Sequence, residues 1–144
     1  MSETVLPTEM NTVDENYGFT DAVNYVTEPS YTYKLNAETQ QFRGYVDEQE
    51  AFRQAVYKLL NTERYEYIIY SYNYGIELKE LIGKHIAYVV PELQRRITEA
   101  IMQDDRAKNV SEFEFDISKR GVVGVTFTVE SIYGEVKMEK TVEI

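Results

Sequence analysis

The apolar residues that follow Asp47 recur with the period of an amphipathic helix. They form one continuous stripe: Ala51, Phe52, Ala55, Val56, Leu59 and Leu60. A stripe of this kind normally faces a hydrophobic core. Asp47 can cap the helix, and Glu50 follows three residues later, as in a capping box. The pattern therefore predicts a core-facing helix that begins at Asp47 and runs into the charged segment after Leu60.

Shorter β-type patterns lie on both sides of this helix. Residues 31–35 alternate apolar and polar side chains, and residues 41–46 follow after a polar connection, which predicts two strands. After the helix, residues 65–72 are rich in tyrosine and isoleucine and predict a third strand. Residues 76–81 predict a short helix that Gly83 can end.

A second helix and a β-meander complete the pattern. Pro91 suits the first position of a helix that runs to Gln103, and one side of that helix is apolar: Leu93, Ile97, Ala100 and Ile101. From Val110 the period changes to two, with turns at residues 119–121 and 133–134. The alternating apolar positions are Phe113, Phe115, Ile117, Val123, Val125, Phe127, Val129, Val136, Met138 and Val142. We therefore expect an α+β fold, with helices packed on a mostly antiparallel sheet that ends in a C-terminal three-stranded meander.

Residues 1–30 show no sustained period, and Pro7 and Pro29 interrupt them. This segment contains no lysine or arginine and carries the acidic residues Glu3, Glu9, Asp14, Glu15, Asp21 and Glu28. We predict an extended or flexible N-terminal arm at 1–30 and one folded domain at 31–144. Such an arm either becomes ordered on a neighbouring subunit or remains a free tail.

Composition narrows the classes of function. The chain has no cysteine and one histidine, so disulfides, thiol nucleophiles and cysteine-type zinc sites are excluded. Its net charge of −10 disfavours a nucleic-acid partner, because phosphate binding needs clustered basic residues. No apolar run approaches the ~18 residues of a membrane span, and we expect neither a cleaved signal nor a membrane segment.

Catalytic patterns are missing from the sequence. We find no phosphate-binding glycine loop, no zinc-protease motif and no nucleophile elbow. The 25 acidic residues will place some pair at glycosidase spacing by chance. We interpret His85 as a polar loop residue, and the run Tyr65, Tyr67, Tyr70, Tyr72, Tyr74 as strand packing and sheet surface. We expect no enzyme activity and no cofactor.

Two adjacent charges, Glu63 and Arg64, stand where the first helix meets the predicted strand. Neighbouring residues point in different directions, so the two need not pair with each other. Each can reach another chain or a backbone carbonyl, and the guanidinium offers a planar fork for such recognition. The plainer alternative is that both are solvated surface charges.

The last strand is a second candidate for contact with a partner. As the outer strand of a meander it leaves one row of backbone N–H and C=O groups unpaired. Lys137, Glu139 and Lys140 guard against casual aggregation but do not prevent a specific strand from adding there.

Two short motifs carry a family resemblance. They are Leu60-Asn61-Thr62-Glu63-Arg64 and Tyr74-Gly75-Ile76-Glu77-Leu78, in a fixed order with the predicted elements. In this respect residues 31–144 resemble the XkdS-like proteins of defective prophages and the baseplate wedge family of contractile tails once labelled tail lysozyme. Many members of that family have a Glu-Pro-Arg motif, whereas this chain reads Thr-Glu-Arg.

The resemblance implies a structural baseplate protein, in a phage tail or a bacteriocin-like particle, that anchors wedge subunits and nucleates sheath assembly by strand addition. By the resemblance, the wedge-contact motif is Thr62, Glu63, Arg64, Tyr74 and Gly75. The sheath-contact edge is Val136, Lys137, Met138, Glu139, Lys140, Thr141 and Val142. The implied partners are wedge proteins, the sheath protein and central hub or tube proteins, without nucleic acid or membrane. The family's symmetry implies six copies per particle, assembled in the host cytoplasm.

Two alternatives remain open at this point. One is a peptidoglycan hydrolase, as the family's older label suggests. The other is a free adaptor that binds a peptide by strand augmentation outside any particle.

Overall fold

A computed structural model describes residues 29–144 of the chain. The predicted arm at 1–30 lies outside the described residues except for Pro29 and Ser30. The elements in chain order are β1 (Thr32–Asn36), β2 (Gln41–Val46), α1 (Glu48–Leu60), a 3₁₀ turn (Lys79–Leu81), α2 (Ile86–Ile101), β3 (Ala107–Asp116), β4 (Val122–Ser131) and β5 (Gly134–Glu143). β1 and β2 form an antiparallel hairpin, and β3, β4 and β5 form an antiparallel meander in that order. The predicted α+β class and C-terminal meander are confirmed.

The core lies between the two helices and one face of the meander. Alternate residues of the central strand β4 are buried there, as the period of two predicts: Val123, Val125, Phe127 and Val129. The helices contribute their apolar stripes, which include the fully buried Phe52, Leu93 and Ile97. The ring of Phe113 on β3 stacks on Phe127 with a centroid separation of 5.5 Å. The meander therefore has one face in the core and one face outside it.

The start of α1 is capped by a pair of side chains. Asp47 accepts a hydrogen bond from the backbone N–H of Glu48 at 2.8 Å, and the Ser30 hydroxyl donates to the same carboxylate. The Ser30 hydroxyl oxygen also accepts from the Glu48 N–H at 3.1 Å. The bond from Ser30 holds the pKa of Asp47 below its ordinary value. Ser30, rather than the predicted Glu50, thus completes this cap.

Pro91 does not begin α2, contrary to prediction. The helix starts at Ile86, where His85 Nδ1 accepts the backbone N–H of Ala87 at 3.2 Å as a cap. Pro91 is the sixth residue of the helix and has no N–H to donate to the Ala87 carbonyl, so one backbone bond is missing there. The earlier start buries Val89, which a helix that began at Pro91 would leave outside it.

Two predicted elements between the helices are wrong or reduced. Residues 65–72 form successive turns rather than a strand. The short helix predicted at 76–81 shrinks to the single 3₁₀ turn, because Ile76 is held in an isolated β-bridge with Glu63. Ile117, predicted on a strand, lies just beyond the end of β3 and is exposed.

In the part of the chain that the structure describes, neither helix is long and apolar enough to cross a bilayer.

Phe52→Ala should lower the free energy of unfolding by about 3–5 kcal/mol, because it removes a ring with no exposed surface from the middle of the core. Phe42→Ala is the matched control, since that ring is 62% exposed on the hairpin and should cost less than ~1 kcal/mol. Urea unfolding followed by circular dichroism measures both. Equal losses would contradict the assigned core.

Candidate interaction site at the end of helix α1

The two motifs that carry the family resemblance, residues 60–64 and 74–78, lie side by side at the end of α1, which we call the α1 junction. After Leu60 the chain turns, and the backbone N–H of Ile76 donates to the carbonyl of Thr62 at 3.0 Å. The N–H of Arg64 donates back to the carbonyl of Ile76 at 3.2 Å. Residues 62–64 are thereby joined to residues 75 and 76 in a short parallel bridge. The structure brings together all five residues that the resemblance assigned to wedge contact.

Gly75 is the residue that permits this close approach. Its φ is +99°, in the left-handed region, and a Cβ added there would lie 2.6 Å from the Thr62 carbonyl oxygen. Any other residue would be both strained and in collision with backbone atoms. The glycine is therefore required by the packing of the two motif halves.

Glu63 serves as a local cap. Its carboxylate accepts the backbone N–H of Leu78 at 3.1 and 3.2 Å and the N–H of Lys79 at 3.1 Å. These donors open the 3₁₀ turn and have no partner within it. The carboxylate that the resemblance assigned to wedge contact is thus bound to backbone groups of its own chain.

Arg64 is also satisfied within the chain. Its Nε and Nη2 donate to the carbonyl of Gly75 at 3.3 and 3.2 Å, and Nη1 lies 3.1 Å from Glu99 Oε1 and 3.8 Å from Glu77 Oε1. The side chain is only 11% exposed. Burial alone would lower its pKa, but the bond to Glu99 and the nearby carboxylates keep that pKa above its ordinary value. Of the alternatives left open by the sequence, the backbone carbonyl is the one observed.

A second buried arginine, Arg96, continues this network from α2. Its Nη1 donates to the Glu77 carbonyl at 2.6 Å, Nη2 lies 3.0 Å from Glu80 Oε2, and Nε lies 3.1 Å from Glu92 Oε2. Between the two arginines is an open cavity of about 290 Å³. The residues that line it are Arg64, Tyr65, Ile76, Glu77, Arg95, Arg96 and Glu99. A partner could reach the network through this opening.

The sequence did not single out Arg96 or Glu99. The signal available was the spacing of Glu92, Arg95, Arg96 and Glu99, which are three or four residues apart on a predicted helix. That spacing marks an ion-paired helix face. It does not reveal that Arg64, 35 residues earlier in the chain, joins the same face.

Tyr74 connects the motif to the core. Its side chain is partly buried and packs on the core cluster, and this burial raises the pKa of its hydroxyl. Its ring stacks on Tyr70 at 4.6 Å between centroids. Below it, the Thr62 hydroxyl donates to the Lys58 carbonyl at 2.8 Å and closes the end of α1.

The tyrosines of residues 65–72 pack on one another rather than in a sheet. Tyr65 and Tyr72 lie 4.6 Å apart, and Tyr67 meets Tyr70 edge to face at 6.0 Å. All four rings remain substantially exposed. The predicted strand packing is therefore wrong for this segment, which is a surface loop.

The last strand divides its side chains between two faces. Val136, Met138 and Val142 are buried toward the helices, whereas Lys137, Glu139 and Thr141 are exposed on the other face. Lys140 lies on the helix side, where burial lowers its pKa and its Nζ donates to Asn61 Oδ1 at 2.6 Å. Lys140 is thus an internal contact with the end of α1, not a surface gatekeeper as predicted.

Among residues 29–144, no group of three or more histidine, aspartate or glutamate side chains is placed to hold a metal ion.

Two comparisons with known proteins identify the family of this chain. The family model described as "Contractile injection system sheath initiator" matches residues 31–134, and the chain belongs to this family of structural tail proteins. The chain is also similar to the phage-like element PBSX protein XkdS of Bacillus subtilis (strain 168). The two are 40% identical over 122 residues, which covers 81% of this chain and 85% of that relative. The predicted family and a structural role in a contractile tail are confirmed.

Gly75→Ala should lower the free energy of unfolding by about 2–4 kcal/mol, because a left-handed backbone and a backbone collision act together. Gly44→Ala is the matched control. Gly44 also has a positive φ, +80°, but a Cβ there would meet nothing within 4 Å, so only about 1–2 kcal/mol is expected. Denaturant unfolding of both variants gives the difference, and a Gly44 variant as damaged as the Gly75 variant would remove the argument for close approach.

Proposed function

We propose that this protein is a baseplate subunit that holds a wedge subunit at the α1 junction and starts the sheath by offering β5 to a sheath strand. Membership of the sheath initiator family supports the general role. The contacts described above support the finer division between two surfaces. The main observation behind the proposal is that β5 lies at an open edge of the meander and pairs with β4 in an unbroken register.

The two outer strands of the meander differ in their suitability for pairing. β5 keeps an unbroken register with β4 over its ten residues, from Gly134 to Glu143. In the part of the chain that the structure describes, it pairs with no other strand. β3 instead has two register shifts and a positive φ at Glu112. Bulges of this kind disfavour edge pairing, so β5 is the better template for an added strand.

The direction of the backbone groups supports strand addition to β5. The carbonyl of Glu135 points away from β4, since it accepts a hydrogen bond from the Gln49 side chain at 3.0 Å. Antiparallel ladders alternate, so the backbone groups of Lys137, Glu139 and Thr141 also point outward. A groove of about 410 Å³ runs beside residues 137–139 and leaves room for a partner.

The α1 junction supports the wedge contact in a different way. Thr62, Glu63, Arg64, Tyr74 and Gly75 form one rigid patch rather than free charges. A wedge subunit would approach the opening over Arg64 and Arg96, where the carboxylates of Glu77 and Glu99 already balance part of the positive charge. Hub or tube proteins would lie nearby in the same baseplate, with six copies of this chain around the axis and assembly in the host cytoplasm.

The acidic side chains at the junction fit a scaffold better than a hydrolase. A glycosidase needs a carboxylic acid whose pKa is raised. Hydrogen bonds from Arg95 and Arg96 hold the pKa of Glu92 below its ordinary value instead. Glu63 is occupied by two backbone N–H groups and Glu99 by two arginines.

Glu139→Pro should prevent sheath assembly on otherwise normal baseplates, because it removes one outward N–H from β5. Glu139→Ala is the control, since it removes the same side chain and keeps the N–H. The measurement is electron microscopy of particles made in a strain whose own gene is deleted and replaced by each variant. Full-length sheaths on the proline variant would argue against strand addition at this edge.

Arg64→Lys should reduce incorporation of the protein into baseplates and lower its free energy of unfolding by about 1–3 kcal/mol, because lysine keeps the charge but loses the fork on the Gly75 carbonyl. Arg120→Lys is the control, since Arg120 is exposed in the turn between β3 and β4, does not line this opening and should matter by less than ~1 kcal/mol. Quantitative blotting of purified baseplates reports incorporation. An Arg64 variant that is destabilised yet incorporated in full would reject the wedge contact while it preserves the structural role of this arginine.

A further inference from the structure

The most exposed apolar side chains of the described residues lie at the tip of the loop at residues 65–72, here called the tyrosine loop. Ile68 is fully exposed and Ile69 is 85% exposed. Residues 67–73 carry no charge, in a chain with 28% charged residues. Exposing two adjacent isoleucine side chains to water is unfavourable for the isolated protein. Their exposure therefore indicates a surface that a partner covers.

The tyrosine loop is built to hold this tip in place. Two pairs of contacting rings support the loop. The ring centroids of Tyr65 and Tyr72 are 4.6 Å apart, and those of Tyr70 and Tyr74 are also 4.6 Å apart. The base of the loop is closed by the bridge between Glu63 and Ile76 and by the fork of Arg64 on the Gly75 carbonyl. A braced loop loses little conformational freedom when it binds, and rigid aromatic anchors of this kind are common in protein interfaces.

We propose that Ile68 and Ile69 form a plug that enters an uncharged apolar pocket on a different protein subunit of the baseplate, while the surrounding tyrosines close the rim. The proposal rests on the function proposed above only in that it takes the partner from the same particle. It adds that this contact is apolar and is made by the tyrosine loop. The charged junction residues position the tyrosine loop, and the loop supplies the apolar anchor that typically dominates binding at such interfaces.

A lipid surface is a poorer occupant. Loops that insert into anionic membranes are flanked by free basic residues, which draw them to the surface. Here Lys79 is paired with Glu66 at 3.1 Å, Arg64 is paired internally, and the whole chain carries −10.

A second copy of this chain is also a poorer occupant. One largely apolar groove in the described part of the chain lies beside Val56, Leu59 and Tyr74 and includes the ion pair of Asp104 with Arg106. A second such groove lies between β1, α1 and β5. Its rim carries the charged side chains Lys34, Glu50, Arg53, Lys137 and Glu139. An isoleucine pair seated there would strip water from these charges without offering them a partner.

The test compares two double variants of the full chain in particles made without the wild-type gene. Ile68→Ser with Ile69→Ser removes the plug. Ile82→Ser with Ile117→Ser changes two other exposed isoleucines and serves as the control. Both should fold as the wild type does, because none of the four side chains lies in the core. We expect the plug variant to be incorporated at least tenfold less than the control, which corresponds to about 1.4 kcal/mol of binding.

A photo-crosslinking phenylalanine analogue placed at position 68 identifies the occupant in purified particles. Crosslinks to apolar residues of another tail protein, together with the loss of incorporation, support the proposal. Crosslinks only between copies of this chain, flotation of the purified protein with phosphatidylglycerol vesicles that the plug variant abolishes, or equal incorporation of both variants would overturn it. Particles that lack even the wild-type protein would instead refute the proposed baseplate role.

Discussion

The arrangement of the α1 junction depends on one buried guanidinium. Arg64 reaches the Gly75 carbonyl with one edge of its fork and Glu99 with the other, so it ties the end of α1 and the base of the tyrosine loop to α2. A buried arginine is tolerated only when its donors are satisfied, and here the partners come from two separate segments of the chain, residues 75–77 and Glu99. The same residue therefore fixes the position of Gly75, of the loop it closes and of the opening through which a neighbour could approach.

The meander imposes a second constraint, on which strand edge is open to pairing. Its central strand is buried and regular, and its two outer strands have diverged: β3 is interrupted by bulges, whereas β5 is continuous. An assembly protein that must accept one strand and refuse others needs this asymmetry, because an open edge binds without regard to identity. Under the proposed strand addition, the bulges of β3 would restrict pairing to β5 and so give the growing structure one direction.

Regular elements could be predicted from the sequence, and the junction could not. The stripe from Ala51 to Leu60 and the alternation along β4 determined α1 and the meander, because burial on one face imposes a period on the sequence. Tyrosine and isoleucine at 65–72 suggested a strand because β-propensity reflects side-chain type and says nothing of whether a partner strand is present. Glu99, which pairs with Arg64, and the Glu77 carbonyl, which binds Arg96, lie far from these arginines in the chain, so no local sequence pattern reveals these contacts. The sequence singled out Glu63 and Arg64 but left open what they contact, and the structure shows both held by groups of their own chain.

The bond between Lys140 and Asn61 has a consequence for how β5 can move. Strands in a ladder can in principle slip along one another, and a slip of two residues keeps apolar side chains on the same face. In β5 such a slip would bring Met138 or Val142 toward Asn61 and carry the lysine ammonium group into apolar surroundings. The bond between Lys140 and Asn61 thus helps to fix the register of β5. A strand pulled from outside would therefore load the end of α1 through Lys140 and Asn61 as well as the ladder with β4.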